Sequence, residues 1–102
     1  MNNITKSGIA QYFKRLEKYS FKVRNLQNNR AVSPGVKDLP DLIIIGSRYP
    51  GDIHWVEIKV GRDRLSEGQA DMGALLKKVS NYYVATENNY LEIFDKILSG
   101  AK

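Results

Sequence analysis

The sequence predicts one α/β domain over residues 1–102: a mixed β-sheet flanked by helices, in the order α-β-β-β-α-β-α. Three observations predict it. Apolar residues recur at helical spacing near the N-terminus, switch to a period of two at Tyr19, Phe21 and Val23, and return to helical spacing over 66–80 and 90–98. Two short runs rich in Ile and Val, 41–46 and 53–60, flank the turn residues Pro50-Gly51 and read as a hairpin. Finally, 102 residues leave room for a single core and no second one.

Taken in order, residues 5 to 18 form the first helix, capped by Thr5 or Ser7, with Ile9, Tyr12, Phe13 and Leu16 on one face. A half-buried strand follows from Tyr19. Residues 26 to 38 have no period, are rich in Asn, Ser, Pro and Gly, and form a long basic loop. Pro40 starts the strand 41–46, since the residue before a proline is held extended. The Ile and Val content of 41–60 predicts interior strands in a sheet covered on both faces. Ser66 caps a helix running to about Ser80 and ended by Asn81, its buried stripe being Met72, Leu75, Leu76 and Val79. The strand 82–86 returns parallel by this crossover. A closing helix, 90–98, turns Leu91, Phe94, Ile97 and Leu98 inward.

Composition narrows the chemistry. Without cysteine there is no disulfide scaffold, thiolate zinc site or cysteine nucleophile, and one histidine cannot build an imidazole zinc site. Sixteen Lys and Arg against eleven Asp and Glu give +5, which favours a polyanionic partner such as nucleic acid. Apolar runs such as 42–45 are far shorter than the roughly 20 residues of a membrane span, so no membrane is expected. The first residues lack the apolar stretch of a signal peptide, which predicts an intracellular protein.

The hairpin carries the chemistry. On a strand, Glu57 and Lys59 project from one face while Val56, Ile58 and Val60 point to the other. Asp41, at the start of the neighbouring antiparallel strand, comes opposite the end of 53–60. Two carboxylates and an ammonium among Ile and Val are costly unless they neutralise one another or bind a cation. Asp41 and Glu57, with the strand carbonyl of Ile58, are hard oxygen ligands suited to Mg²⁺, and Lys59 can orient a water and stabilise a phosphorane. The alternative is a salt-bridged pair on a solvent-facing strand. His54, on the face opposite Glu57, reads as structural; Trp55 shares the Glu57 face as a core or rim aromatic. Arg24, Arg30, Lys37, Arg62 and Arg64 lie in or beside the loops flanking this group and suit phosphate contacts.

The run Leu39-Pro40-Asp41-Leu42-Ile43-Ile44-Ile45, then Trp55-Val56-Glu57-Ile58-Lys59, then Gly61 with Arg64-Leu65-Ser66-Glu67-Gly68-Gln69, resembles the VRR-NUC family. This is the virus-type replication-repair branch of the PD-(D/E)xK nucleases, and the resemblance covers about residues 35 to 85. Family members often have glycine directly before Pro-Asp, where this chain has Leu39. The resemblance implies a restriction-endonuclease-like core and a metal-dependent DNA endonuclease. Asp41 and Glu57 would hold Mg²⁺ or Mn²⁺, Lys59 would be the catalytic lysine, and Gln69 would join from its helix. Glu17, on the first helix, is the candidate for a further acidic residue. Members consisting of this domain alone look like dimeric enzymes cleaving branched DNA, which implies a homodimer, a Holliday-junction-type substrate, a phage or prophage source and the host cytoplasm. Of Tyr82, Tyr83, Tyr90 and Phe94, those not needed to complete the core (Phe94 and one of Tyr82 or Tyr83 being the candidates for that) are the expected dimer contacts, with the 66–80 helix as the second possibility. The rival expectation is a nuclease-like fold kept as a nucleic-acid-binding module without catalysis.

Overall fold

The computed structural model describes residues 4–29 and 37–100. Helix α1 spans Lys6–Lys14, with Thr5 accepting the Gly8 N–H at 3.0 Å as its cap. The predicted helix to residue 18 tightens into a 3-10 segment, Arg15–Tyr19, which ends at Ser20 in the left-handed conformation. Strand β1 is therefore short, Lys22–Asn25, and Tyr19, expected to start it, lies in the preceding turn with half its surface exposed. A second 3-10 turn, Leu26–Asn29, follows. Strands β2 (Leu42–Ile45) and β3 (Ile53–Ile58) form the hairpin. Helix α2 is Glu67–Val79, β4 is Asn81–Ala85 and α3 is Tyr90–Ser99. Asn81 opens β4 rather than ending α2, because Ser80 already closes the helix on the Leu76 carbonyl.

The four strands form one mixed sheet in the order β1-β2-β3-β4, antiparallel except for the β3–β4 pair. The α/β class and the element order agree with the sequence reading.

One sheet face carries the core. Val23, Leu42, Ile44, Val56, Ile58 and Ala85 pack against Ile9, Phe13 and Leu16 on one side and Ile93, Phe94 and Ile97 on the other. Truncating any one of the fully buried Ile or Leu side chains to Ala is worth about 2–5 kcal/mol. The opposite face is only partly covered. Ile45 is 42% exposed there, so the expectation of a sheet covered on both faces does not hold.

The reason lies in α2. Its inward row is Gln69, Met72, Gly73 and Leu76, at i, i+3, i+4 and i+7, which keeps Met72 and Leu76 of the row read from hydrophobicity but replaces Leu75 and Val79. Gly73 takes the contact because the Tyr82 ring lies directly on it; a Cβ there would come within 2.7 Å of that ring. Leu75 and Val79, expected to be buried, are left 59% and 78% exposed. Helix α3 behaves similarly. Tyr90, Ile93, Phe94 and Ile97 form its inward row, with Tyr90 and Phe94 edge-on to Tyr12, and Leu91 is turned outward.

Candidate active site

Continuing the β2–β3 register one residue past the Leu42–Val56 pair sets Asp41 opposite Glu57. Directly opposed residues of an antiparallel pair share a face. Asp41 and Glu57 therefore rise together from the partly covered face, at the end of the sheet where the 37–40 turn and the loop after β3 also lie. Both are buried, at 0% and 1% exposed.

Each member is held by the backbone. Asp41 Oδ2 accepts the Ile58 N–H at 2.8 Å, and the Asp41 carbonyl accepts the Leu26 N–H at the same distance. Lys59 lies beyond the last residue of β3 but donates its N–H to the Ala85 carbonyl at 2.9 Å, so pairing with β4 extends that far. A strand residue's N–H and C=O point to the same edge. The Ile58 carbonyl is thus on the Asp41 side, as a ligand to a shared cation would need.

Around Glu57 Oε2 stand two donors, Lys59 Nζ and Gln69 Nε2, each at 3.5 Å. Gln69 has its amide orientation fixed from behind. Its Oε1 accepts the Ser66 N–H, and Ser66 Oγ accepts the Gln69 N–H, a capping box that turns the NH₂ toward Glu57. The first turn of α2 is thereby both a helix cap and a wall of the site. Ser66 acts as cap, as expected.

Burial, and secondly the Asp41 charge, push Glu57 up to about 7, against the opposing pull of Lys59. Tyr82, beside Glu57 on the same face, is likewise raised, by burial and then by the Glu57 and Asp41 charges. Two buried carboxylates that repel each other, beside a strand carbonyl, form a hard-oxygen donor set of the kind Mg²⁺ accepts when waters and substrate phosphate complete its shell. Among the described residues no group of three or more His, Cys, Asp and Glu side chains comes together as a metal cage. The fit is to an ion with two protein carboxylates, not to an all-protein site.

Lys6 was not singled out from the sequence. Its Nζ lies 3.5 Å from Asp41 Oδ2, brought there by α1 crossing the sheet, and nothing local in the sequence marks that contact. A second unpredicted cluster lies at the far end of β3. Asp52 holds Arg48 through Nε and NH2 at 2.9 and 2.8 Å and His54 Nε2 at 2.8 Å. Arg48 and Asp52, flanking the Pro50-Gly51 turn, were a readable signal for it. His54 is buried, on the face opposite Glu57.

Glu17 does not join the pair. Its Oε2 accepts the Val23 N–H at 3.0 Å on the outer edge of β1, and Lys14 and Arg24 approach it at 3.8 and 3.4 Å. The backbone hydrogen bond chiefly holds its carboxyl below the usual range. It seals an edge strand, two strands from Glu57.

Neither the family models nor the curated proteins nor the solved structures contain a match to this chain. Its site is therefore read from its own residues.

The predicted phosphate contacts divide. Arg62 and Arg64 are exposed on the loop after β3, which is tied down where Glu87 accepts the Gly61 N–H at 2.7 Å. Lys37 is exposed in the turn before β2. Arg24 shares the Glu57 face, one row below on the edge strand, but is partly committed to Glu17 and the Val23 carbonyl. Arg30 lies outside the described residues. No described helix is long and apolar enough to cross a membrane.

Proposed function

We propose that the chain is a metal-dependent DNA endonuclease of the VRR-NUC kind. The observation that carries this reading is the meeting of Lys59 Nζ and Gln69 Nε2 on one oxygen of Glu57, with Asp41 opposite on the same buried face.

Asp41, Glu57 and the Ile58 carbonyl would hold Mg²⁺ or Mn²⁺. An ion there supplies Lewis acidity toward a phosphate oxygen and a water. Gln69 fixes the Glu57 rotamer. Lys59, 8% exposed, would orient the attacking water and stabilise charge on the pentavalent phosphorane. Lys6 offsets the Asp41 charge when no cation is present. Arg62, Arg64 and Lys37 at the same end of the sheet suit the flanking phosphates.

A domain of this size has a small footprint, and resolving a branched junction takes two symmetric incisions, which favours a twofold homodimer acting on Holliday-junction-type DNA. Tyr82, Tyr83, Tyr90 and Phe94 are half-buried or buried in one chain, so the exposed Leu75 and Val79, one turn apart on α2, are the better pairing surface. The test is incubation of four-way, flap, nicked and linear DNA with Mg²⁺, Mn²⁺ or chelator. Metal-dependent cutting with preference for the four-way substrate is expected. Tight DNA binding without cutting under any metal would replace the enzyme with a binding module.

A further inference from the structure

The end of the sheet remote from Glu57 holds a cavity of about 510 Å³, lined among others by Tyr49, His54, Lys78, Ser80, Tyr83 and Lys96. That volume is in the range of small-molecule sites. His54 stands three residues before Glu57 on β3, roughly 10 Å along the strand and on the opposite face. The cavity is therefore separate from the candidate active site.

Its wall has a defined polarity. Asp52 is an acceptor-only carboxylate, so the His54 nitrogen facing it, Nε2, carries the proton, and Nδ1 is left as an acceptor. His54 is 2% exposed, and its Nδ1 has no hydrogen-bond partner among the described residues. An orphaned buried acceptor is uncommon and calls for a donor from outside the chain. The ring is fixed, with Tyr83 stacked on it at 6.1 Å and Phe21 against its edge. Burial holds its protonation below the usual histidine range, which keeps the acceptor lone pair at neutral pH. Ser80 Oγ donates to the Leu76 carbonyl, so what it offers the cavity is also an acceptor. Lys78 and Lys96, from the last turns of α2 and α3, bring two positive charges to the same cavity.

We propose that this cavity binds a nucleotide 5′-phosphate, with the lysines on the phosphate and His54 Nδ1 accepting an N–H of the base. Acceptors deep in the wall reject a bare anion there, while the ammonium groups demand one. A ligand with an N–H donor at one end and a phosphate at the other satisfies both. The Tyr49 and Tyr83 rings add flat apolar surface suited to a base. The nucleotide could be free or part of a DNA strand.

The test is an NMR titration of the intact chain, in chelator, with dAMP, deoxyadenosine, inorganic phosphate and a short single-stranded oligonucleotide. His54 imidazole nitrogens and the Lys78 and Lys96 ammonium groups are followed. Saturable dAMP binding that shifts His54 Nδ1 is expected, weakened about tenfold by Lys78→Ala or Lys96→Ala. Tighter binding by the oligonucleotide at the same resonances identifies the strand as the source, and tighter binding by dAMP identifies the free nucleotide. An unmoved Nδ1 at high dAMP, equal binding by the double lysine variant, or the same His54 shift with phosphate alone overturns the proposal. Because these readouts need neither metal nor cleavage, their failure is distinct from failure of the nuclease reading.

Discussion

Glu57→Gln should flatten the pH dependence of stability of the metal-free protein. Glu57 is driven from its ordinary 4.5 up to about 7 by burial and by Asp41. Below pH 4.5 the folded and unfolded chains both hold the proton, and the full stability is present. Between 4.5 and 7 the unfolded chain releases it first, so the folded state loses stability as pH rises; above 7 the loss is complete. At ~1.4 kcal/mol per unit, the loss is about 3 kcal/mol, and Glu57 is too deeply buried for solvent to screen much of it. The Lys59 ion pair forms only when Glu57 is ionised and is already contained in its titration, so the neutral variant carries neither that attraction nor the Asp41 repulsion. Urea unfolding in chelator, from pH 4.5 to 8, isolates the difference in slope between the two proteins. The wild type should lose about 3 kcal/mol relative to Glu57→Gln across that interval. Parallel curves would refute the account of Glu57 as a proton-hungry carboxylate. Adding Mg²⁺ at pH 7.5 should then stabilise the wild type, by about 2.7 kcal/mol at a hundredfold excess over Kd, and leave the variant nearly unmoved.

Three further outcomes are expected. Asp41→Asn, Glu57→Gln and Lys59→Ala should each cut DNA cleavage by 10²-fold or more with circular dichroism unchanged, and retained activity in any folded variant would remove that residue from the mechanism. Replacing Arg62 and Arg64 together by Ala should reduce the slope of log affinity against log salt by about two, measured by fluorescence anisotropy on uncleaved DNA. Asp52→Asn should cost about 2–3 kcal/mol in thermal unfolding, because Arg48 and His54 lose their shared carboxylate; the stabilisation it removes is present above pH 3.8 and fades as pH falls, Asp52 being held well below its usual range chiefly by Arg48.

The sequence made the strands and the polar group legible for a physical reason: both depend on period-two alternation and on a hairpin whose turn, Pro50-Gly51, is visible. Asp41, Glu57 and Lys59 follow from strand parity and Ser66 from its place before a helix, whereas Gln69 was legible only through the family resemblance. What was illegible depended on which side of a helix touches the sheet. Hydrophobicity alone chose Leu75 and Val79 over Gly73, but a glycine lets the Tyr82 ring approach the helix backbone, and that contact sets the rotation of α2. That Lys6 approaches Asp41 while Glu17 does not was illegible for a similar reason. Their positions depend on where the short α1 crosses the sheet and where it tightens at Arg15, and neither is encoded in a nearby pattern.

An E-x-K pair on a strand is most often a solvated ion pair, and what separates this one from that case is the position of β3. It lies between β2 and β4, so Glu57 is flanked by Asp41 and Val84, and Gln69 from α2 and Lys59 stand over its carboxylate. Ile58, between the two charged residues, is wholly buried in the opposite face. The backbone that carries Glu57 and Lys59 therefore cannot shift without disturbing the core. A charge that could relax on an edge strand is here held under desolvation, with its proton affinity pushed up to about 7. Fixing charged groups where solvent would have released them is the condition for electrostatic preorganisation, and it is met at one row of one strand because that row ends the core on one face and opens it on the other.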